Sequence, residues 1–155
     1  MISTEQRITV TINGTTYERE VAARKLLIHF VRDDLDLTGS HIGCDTGNCG
    51  ACSMLVDGTL VKSCMMLAVQ ADGASIETVE GLSDGDELNR LQASFHEHHG
   101  LQCGYCTPGM LMSATALLRE NPSPSDDEIK KALQGNICRC TGYWNIFAAV
   151  KAATE

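Results

Sequence analysis

Eight cysteines punctuate a chain of 155 residues, and they fall into two groups of four. Cys44, Cys49 and Cys52 stand in "GCDTGNCGAC" as a C-x4-C-x2-C run, and Cys64 follows after eleven intervening residues. Cys103 and Cys106 stand in "LQCGYCTPGM", and Cys138 and Cys140 in "NICRCTGY". Thiols at this density form disulfides in an oxidising compartment and serve as metal or redox ligands in a reducing one. The opening "MISTEQRITV" has neither a basic n-region nor an apolar h-region. No export signal is therefore expected, and metal is the first reading of the thiols.

The C-x4-C-x2-C run has the ligand spacing of plant-type 2Fe–2S ferredoxins, apart from a shortened interval to the fourth cysteine. Two ferric ions, two sulfides and four thiolates carry a charge of about −2, which donors in a confined loop must hold. Gly43, Gly47 and Gly50 are expected to take positive φ and bring backbone N–H groups close to sulfur. Zinc takes paired C-x2-C units and fits this run poorly. For the second group the chemistry alone leaves zinc open, since C-x2-C with C-x-C suits it too. A disulfide between Cys138 and Cys140 would close a strained ring. Each of these pairs sits just ahead of an expected helix, the first signalled by Pro108, where free N–H groups and the helix dipole favour an anionic cofactor. A cluster buried between helices is the expected result.

The texture of the chain changes along its length. Ile8, Val10 and Ile12 alternate with threonines, and Asn13-Gly14 signals a hairpin into "TTYEREV". Asn13-Gly14-Thr15 is formally a glycosylation sequon, but the turn explains it without a secretory route. Leu26, Leu27, Phe30 and Val31 mark one face of a helix. "SMLVDGTLV" predicts a second hairpin at Asp57-Gly58, and "ASIETV" a last strand. From Glu80 the apolar period becomes helical. Leu88, Leu91 and Phe95 mark one helix, and Met110, Ala114 and Leu117 the next. Ile129, Ala132 and Leu133 mark a third, behind a capping box of Ser125 and Glu128; Tyr143, Ile146, Phe147 and Val150 mark a fourth. The pattern predicts an α+β chain of two domains meeting near "EGLSDGD", residues 1–80 and 81–155.

"GLQCGYCTPGM" with "NICRCTGY", downstream of "GCDTGNCGAC", resembles the iron–sulfur subunit of molybdenum hydroxylases, the xanthine oxidase family. It is most similar to the separate small subunits of the carbon monoxide, nicotine or aldehyde dehydrogenase type. The resemblance runs from about Ile8 to Lys151 and keeps three motifs in order. It implies an N-terminal β-grasp, ferredoxin-like domain with a 2Fe–2S cluster on Cys44, Cys49, Cys52 and Cys64. A C-terminal four-helix domain would hold a second on Cys103, Cys106, Cys138 and Cys140. Gln102 matches a glutamine that contacts a pterin, and Cys140 a ligand that hydrogen-bonds its amine. The implied partners are a molybdopterin-binding large subunit, with the cofactor as its cytosine dinucleotide, and an FAD-binding medium subunit, in a dimer of heterotrimers. Electrons would run from molybdenum to the C-terminal cluster, then the N-terminal cluster, then FAD.

The remaining features point the same way or nowhere. A net charge of −8 disfavours a nucleic-acid backbone, and no apolar run approaches the ~20 residues of a membrane span. The cytoplasm is the expected location, with export on a partner's signal as the alternative. His96, His98 and His99 fit a helix end better than a metal site. Met65, Met66, Met110 and Met112 read as packing, and Trp144 as a ring held between subunits or domains. No catalytic triad, phosphate loop or dinucleotide fingerprint is present, so no substrate site is expected on this chain. A free-standing ferredoxin-like carrier and a zinc-stabilised interaction module are the competing functions.

Overall fold

The computed structural model describes residues 4–154. Residues 1–3 and Glu155, where the polar N-terminal stretch begins and the second expected domain ends, lie outside the described residues. Five strands form one mixed sheet: β1 (Glu5–Ile12), β2 (Thr15–Ala22), β3 (Ser53–Val56), β4 (Thr59–Lys62) and β5 (Ser75–Glu77), in the order β2-β1-β5-β3-β4. Among the described residues, only the β1–β5 pairing is parallel. Both hairpins turn in two residues because Asn13-Gly14 and Asp57-Gly58 each supply two consecutive positive φ angles, which the twist of paired strands favours. The Asn13 amide is engaged at both ends: its Nδ2 donates to the Thr78 hydroxyl at 2.9 Å and its Oδ1 accepts from the Thr78 N–H at 3.0 Å. This turn ties the sheet to the segment that leads out of it.

Helix α1 (Leu27–His29) continues as a π-turn, Phe30–Asp34, and buries Leu27, Phe30 and Val31 against the sheet. Four helices follow: α2 (Arg90–Glu97), α3 (Thr107–Glu120), α4 (Asp126–Leu133) and α5 (Trp144–Ala152). Ser125 and Glu128 form the expected capping box at α4, and Asn89 and Gln92 form another at α2. Leu88 therefore lies ahead of α2, exposed, rather than within it. Tyr143 likewise caps α5 at φ +68° instead of joining it. The helix α2 ends in the three histidines, with His98 as its cap and His99 at φ +53°. Among the described residues, no helix is long and apolar enough to cross a membrane.

Two clusters of buried side chains share one strand. All four residues of β3 are buried, and strand alternation sends them to opposite sides. Met54 and Val56 join the cluster under α1, whereas Leu55 joins the one formed by α2 to α5. The opposite face of β3 is covered by α3, whose residues from Pro108 to Thr115 are buried without interruption. Such a helix is apolar all round because it has neighbours all round.

A bidentate ion pair adds to this contact. The Arg119 guanidinium on α3 reaches the Glu77 carboxylate on β5 at 2.6 and 2.7 Å and holds that carboxyl below its usual range, with partial burial opposing. Both side chains are partly in solvent, which limits such a pair to about 1 kcal/mol. A carboxyl with a lowered folded pKa stabilises above its ordinary pKa and ceases to do so as pH falls through the folded value. Thermal denaturation of Arg119→Met should show a small loss of stability at neutral pH, and the gap from wild type should close on acidification.

Candidate metal centres

The first cysteine loop wraps its donors around one sulfur. The N–H groups of Thr46, Asn48 and Cys49 point at Cys44 Sγ from 3.4, 3.3 and 3.3 Å. Positive φ at Asp45, Gly47 and Gly50 turns the backbone inward. Gly43 is not among them. Its role is space, because a Cβ there would stand 2.8 Å from Cys49 Sγ. The hydroxyl of Thr46, with the Cys49 and Thr46 N–H groups, draws the Cys44 thiol down to about 6, so it is ready to ligate as thiolate.

Hairpin geometry brings in the fourth thiol. Ser53 pairs with Lys62 at the open end of β3–β4, so Cys52 and Cys64 flank that end on either side. The Ser63 hydroxyl and N–H both donate to the Cys52 carbonyl, at 2.7 and 3.4 Å, and hold the two segments together. The interval that looked shortened is thus two four-residue strands, a two-residue turn and Ser63. Burial, then the adjacent Cys52 thiol, pushes Cys64 up to about 11. Lys62 Nζ donates to the Gly47 carbonyl at 2.7 Å and closes the loop over the hairpin.

The second set assembles from two loops. Cys106 caps α3, and Cys103 precedes it; Cys138 and Cys140 lie in the turn that Tyr143 closes before α5. Only Cys106 occupies a helix cap, so the dipole acts directly on that thiol alone. Burial, then the Cys138 thiol, pushes Cys106 up to about 12. Burial opposes ionisation of Cys138, but the Thr141 hydroxyl at 3.1 Å and N–H at 3.4 Å outweigh it and lower that thiol. The Cys103 thiol raises Cys140. Gln102 Nε2 donates to the Cys140 carbonyl at 3.2 Å, which joins two residues 38 apart in sequence. The expected burial between helices is uneven in this chain: Cys138 is buried and Cys106 half-buried, but Cys103 and Cys140 are exposed.

Within each set a thiol feels more than one other: Cys64 feels Cys52 and Cys44, Cys106 feels Cys138 and Cys103, and Cys140 feels Cys103 and Cys138. Among the described residues, no group of three or more His, Cys, Asp or Glu side chains is arranged to hold a metal ion. Four mutually close thiols are what a two-iron core takes, its cysteines divided between two irons. The donor set fits such a group, since N–H and hydroxyl donors to sulfur stabilise its negative charge.

The two sets adjoin. The Ile137 N–H, one residue before Cys138, donates to the Cys49 carbonyl at 2.8 Å. A cavity of about 170 Å³ lies between them, lined by Gly43, Cys49, Ala51, Cys103, Cys106 and Cys138 among others. Two contacts that tie motif residues to distant parts of the chain, the His41–Tyr105 ring stack and the Asn136 amide on the Ser113 hydroxyl at 2.7 Å, carry no spacing signal in the sequence. Met110 and Met112 are core, as read, whereas Met65 is exposed and lies over Gly47. Trp144 is 76% exposed, so it is not packed between parts of this chain.

Comparison with known proteins gives the family. Residues 78–151 match the family described as a 2Fe–2S binding domain. The chain is 51% identical over 150 residues to the caffeine dehydrogenase subunit gamma of Pseudomonas sp. strain CBB1, covering 95% of this chain and 90% of that protein. It is 54% identical over 143 residues to the nicotine 6-hydroxylase small subunit of Paenarthrobacter nicotinovorans, covering 92% and 86%. A chain of quinoline 2-oxidoreductase from Pseudomonas putida 86 superposes with a TM-score of 0.95 at 51% identity, over 98% of this chain and 95% of that one. The chain belongs to the small iron–sulfur subunits of the molybdenum hydroxylase, or xanthine oxidase, family. It is, accordingly, the iron–sulfur component of a multi-subunit oxidoreductase.

A tight approach between α3 and the first cysteine loop yields a test. A Cβ on Gly109, in the first turn of α3, would collide with the Gly50 carbonyl of the first cysteine loop. Overpacking against backbone typically costs about 1–3 kcal/mol. Gly109→Ala should therefore lower the melting temperature, and circular dichroism against temperature reads the shift.

Proposed function

We propose that this chain carries two 2Fe–2S clusters, one on Cys44, Cys49, Cys52 and Cys64 and one on Cys103, Cys106, Cys138 and Cys140, and passes electrons between partner subunits. The observation that carries this is the assembly of eight thiols into two sets joined by the bond from Ile137 N–H to the Cys49 carbonyl. When bound, such clusters supply reversible one-electron iron chemistry. The chain's own residues do the rest. Backbone donors hold negative charge at Cys44, Thr141 holds it at Cys138, and burial keeps water from Cys52, Cys64 and Cys138.

In this reading the N-terminal β-grasp, ferredoxin-like domain spans residues 1–80 and the four-helix domain residues 81–155. The two buried side-chain clusters and the family match from residue 78 support the division. Electrons enter at the exposed Cys103 and Cys140 thiols and leave by way of the Cys44 loop. Gln102 and Cys140 stand at the entry face, where a molybdopterin-binding large subunit, with its cofactor as the cytosine dinucleotide, would dock. An FAD-binding medium subunit would receive electrons at the other end, within a dimer of heterotrimers in the cytoplasm. Support for a partner at the entry face comes from exposed apolar side chains beside the ligands there: Leu101, Ile137, Tyr143 and Trp144. A group of this kind marks an interaction surface.

Metal analysis of the complex purified from its own cells tests the proposal. It should give about four iron and four acid-labile sulfide per small subunit, with the broad visible absorption of iron–sulfur proteins. Cys44→Ser and Cys138→Ser should each lose about half of that iron, because each removes a ligand from a different four-cysteine set. A colourless protein containing zinc would contradict it.

A further inference from the structure

Tyr105 stands between Cys103 and Cys106, and His41 stands shortly before Cys44, so the two residues belong to opposite thiol sets. Their rings stack with centroids 4.6 Å apart and planes 25° from parallel. His41 Nδ1 lies 2.8 Å from the Tyr105 carbonyl oxygen. A carbonyl only accepts, so Nδ1 carries the proton. The Tyr105 hydroxyl donates in return to the Ile42 carbonyl at 2.7 Å. Each side chain thus binds the backbone of the other's loop. The His41 N–H is itself anchored on the Ala51 carbonyl at 3.1 Å, across the first cysteine loop.

Neither side chain is a ligand, and Tyr105 is half-exposed, so its hydroxyl has water as an alternative partner. Its use on Ile42 therefore calls for a reason beyond satisfying a buried group. The bond from Ile137 N–H to the Cys49 carbonyl ties the first cysteine loop to the loop of Cys138 and Cys140, and the packing of Gly50 on Gly109 and Gly135 seats it there. Tyr105 and Ile137 both line the cavity between the sets, so the stacked pair joins the sets at a second point. The pair is the side-chain link from the 103–106 loop to the backbone just ahead of Cys44.

We propose that His41 and Tyr105 form a reciprocal clamp that sets the spacing between the two thiol sets, and with it the coupling between the clusters they hold. Both are positioning residues, and the inference rests on the two-cluster reading above. It is tested in the assembled complex with three variants. Tyr105→Phe keeps the stack and deletes the hydroxyl bond. His41→Ala deletes the stack and the Nδ1 bond, and His41→Asn restores an N–H near the Nδ1 position without the ring.

Iron content, the magnetic interaction between the two reduced clusters in low-temperature paramagnetic resonance, and amide exchange over residues 41–52 and 103–106 are the readouts. Iron should stay at the wild-type level. The magnetic interaction should weaken in His41→Ala, weaken less in Tyr105→Phe, and partly recover in His41→Asn. Amide exchange should rise in both segments together. Wild-type coupling and exchange in all three variants at full iron would overturn the clamp. If His41→Ala fails to load iron, Tyr105→Phe decides by the same criterion. A wild-type complex with a single cluster per small subunit would instead contradict the proposed function.

Discussion

The backbone of the first cysteine loop lies directly on the helix that carries part of the second thiol set. Gly50 presents its carbonyl where a Cβ on Gly109 would stand, and Gly50 itself, at φ +75°, leaves no room for a side chain against Gly135 and Asn136. Glycine is needed at both positions, at Gly50 for conformation and proximity and at Gly109 for proximity alone. From this contact follow the bond between Ile137 and Cys49, the burial of β3 on both faces, and the cavity bounded by thiols from both sets. The two sets are parts of one packing arrangement, with Leu55 of the sheet seated in the helical core.

Exposure is distributed unevenly over the thiols. Cys52, Cys64 and Cys138 are buried, and Cys103 and Cys140 are open. A cluster ligated by both kinds of thiol would be shielded toward the body of the chain and accessible on one side. The apolar side chains beside the open thiols give that side the character of a surface meant to be covered. A subunit that relays electrons needs both properties: a low-dielectric interior that keeps water from the sulfurs, and one face where a donor can approach.

Much of this was legible in the sequence because its signals are local. Hairpins at Asn13-Gly14 and Asp57-Gly58, the capping box at Ser125, and both cysteine spacings follow from chemistry within a dozen residues. The interval from Cys52 to Cys64 was legible as a number and acquires its cause in the hairpin. Boundaries were less so. Leu88 and Tyr143 fit the helical period yet lie outside the helices, because Asn89 and a positive φ at Tyr143 set the starts. Gly43 was expected for its conformation and serves instead for its size. The His41–Tyr105 pair was invisible, since it joins residues 64 apart by contacts that no spacing rule encodes. The exposure of Cys103 and Cys140 was equally hidden, because it depends on how α3 and the turn before α5 meet.

The central claim is that each thiol set holds its own two-iron cluster. A stepwise reductive titration of the complex, followed by low-temperature electron paramagnetic resonance, tests it most directly. This subunit should give two distinguishable signals, each appearing with a one-electron midpoint, and Cys44→Ser and Cys138→Ser should each lose a different one. A single signal abolished by both substitutions would show that the eight thiols serve one centre, and would contradict it.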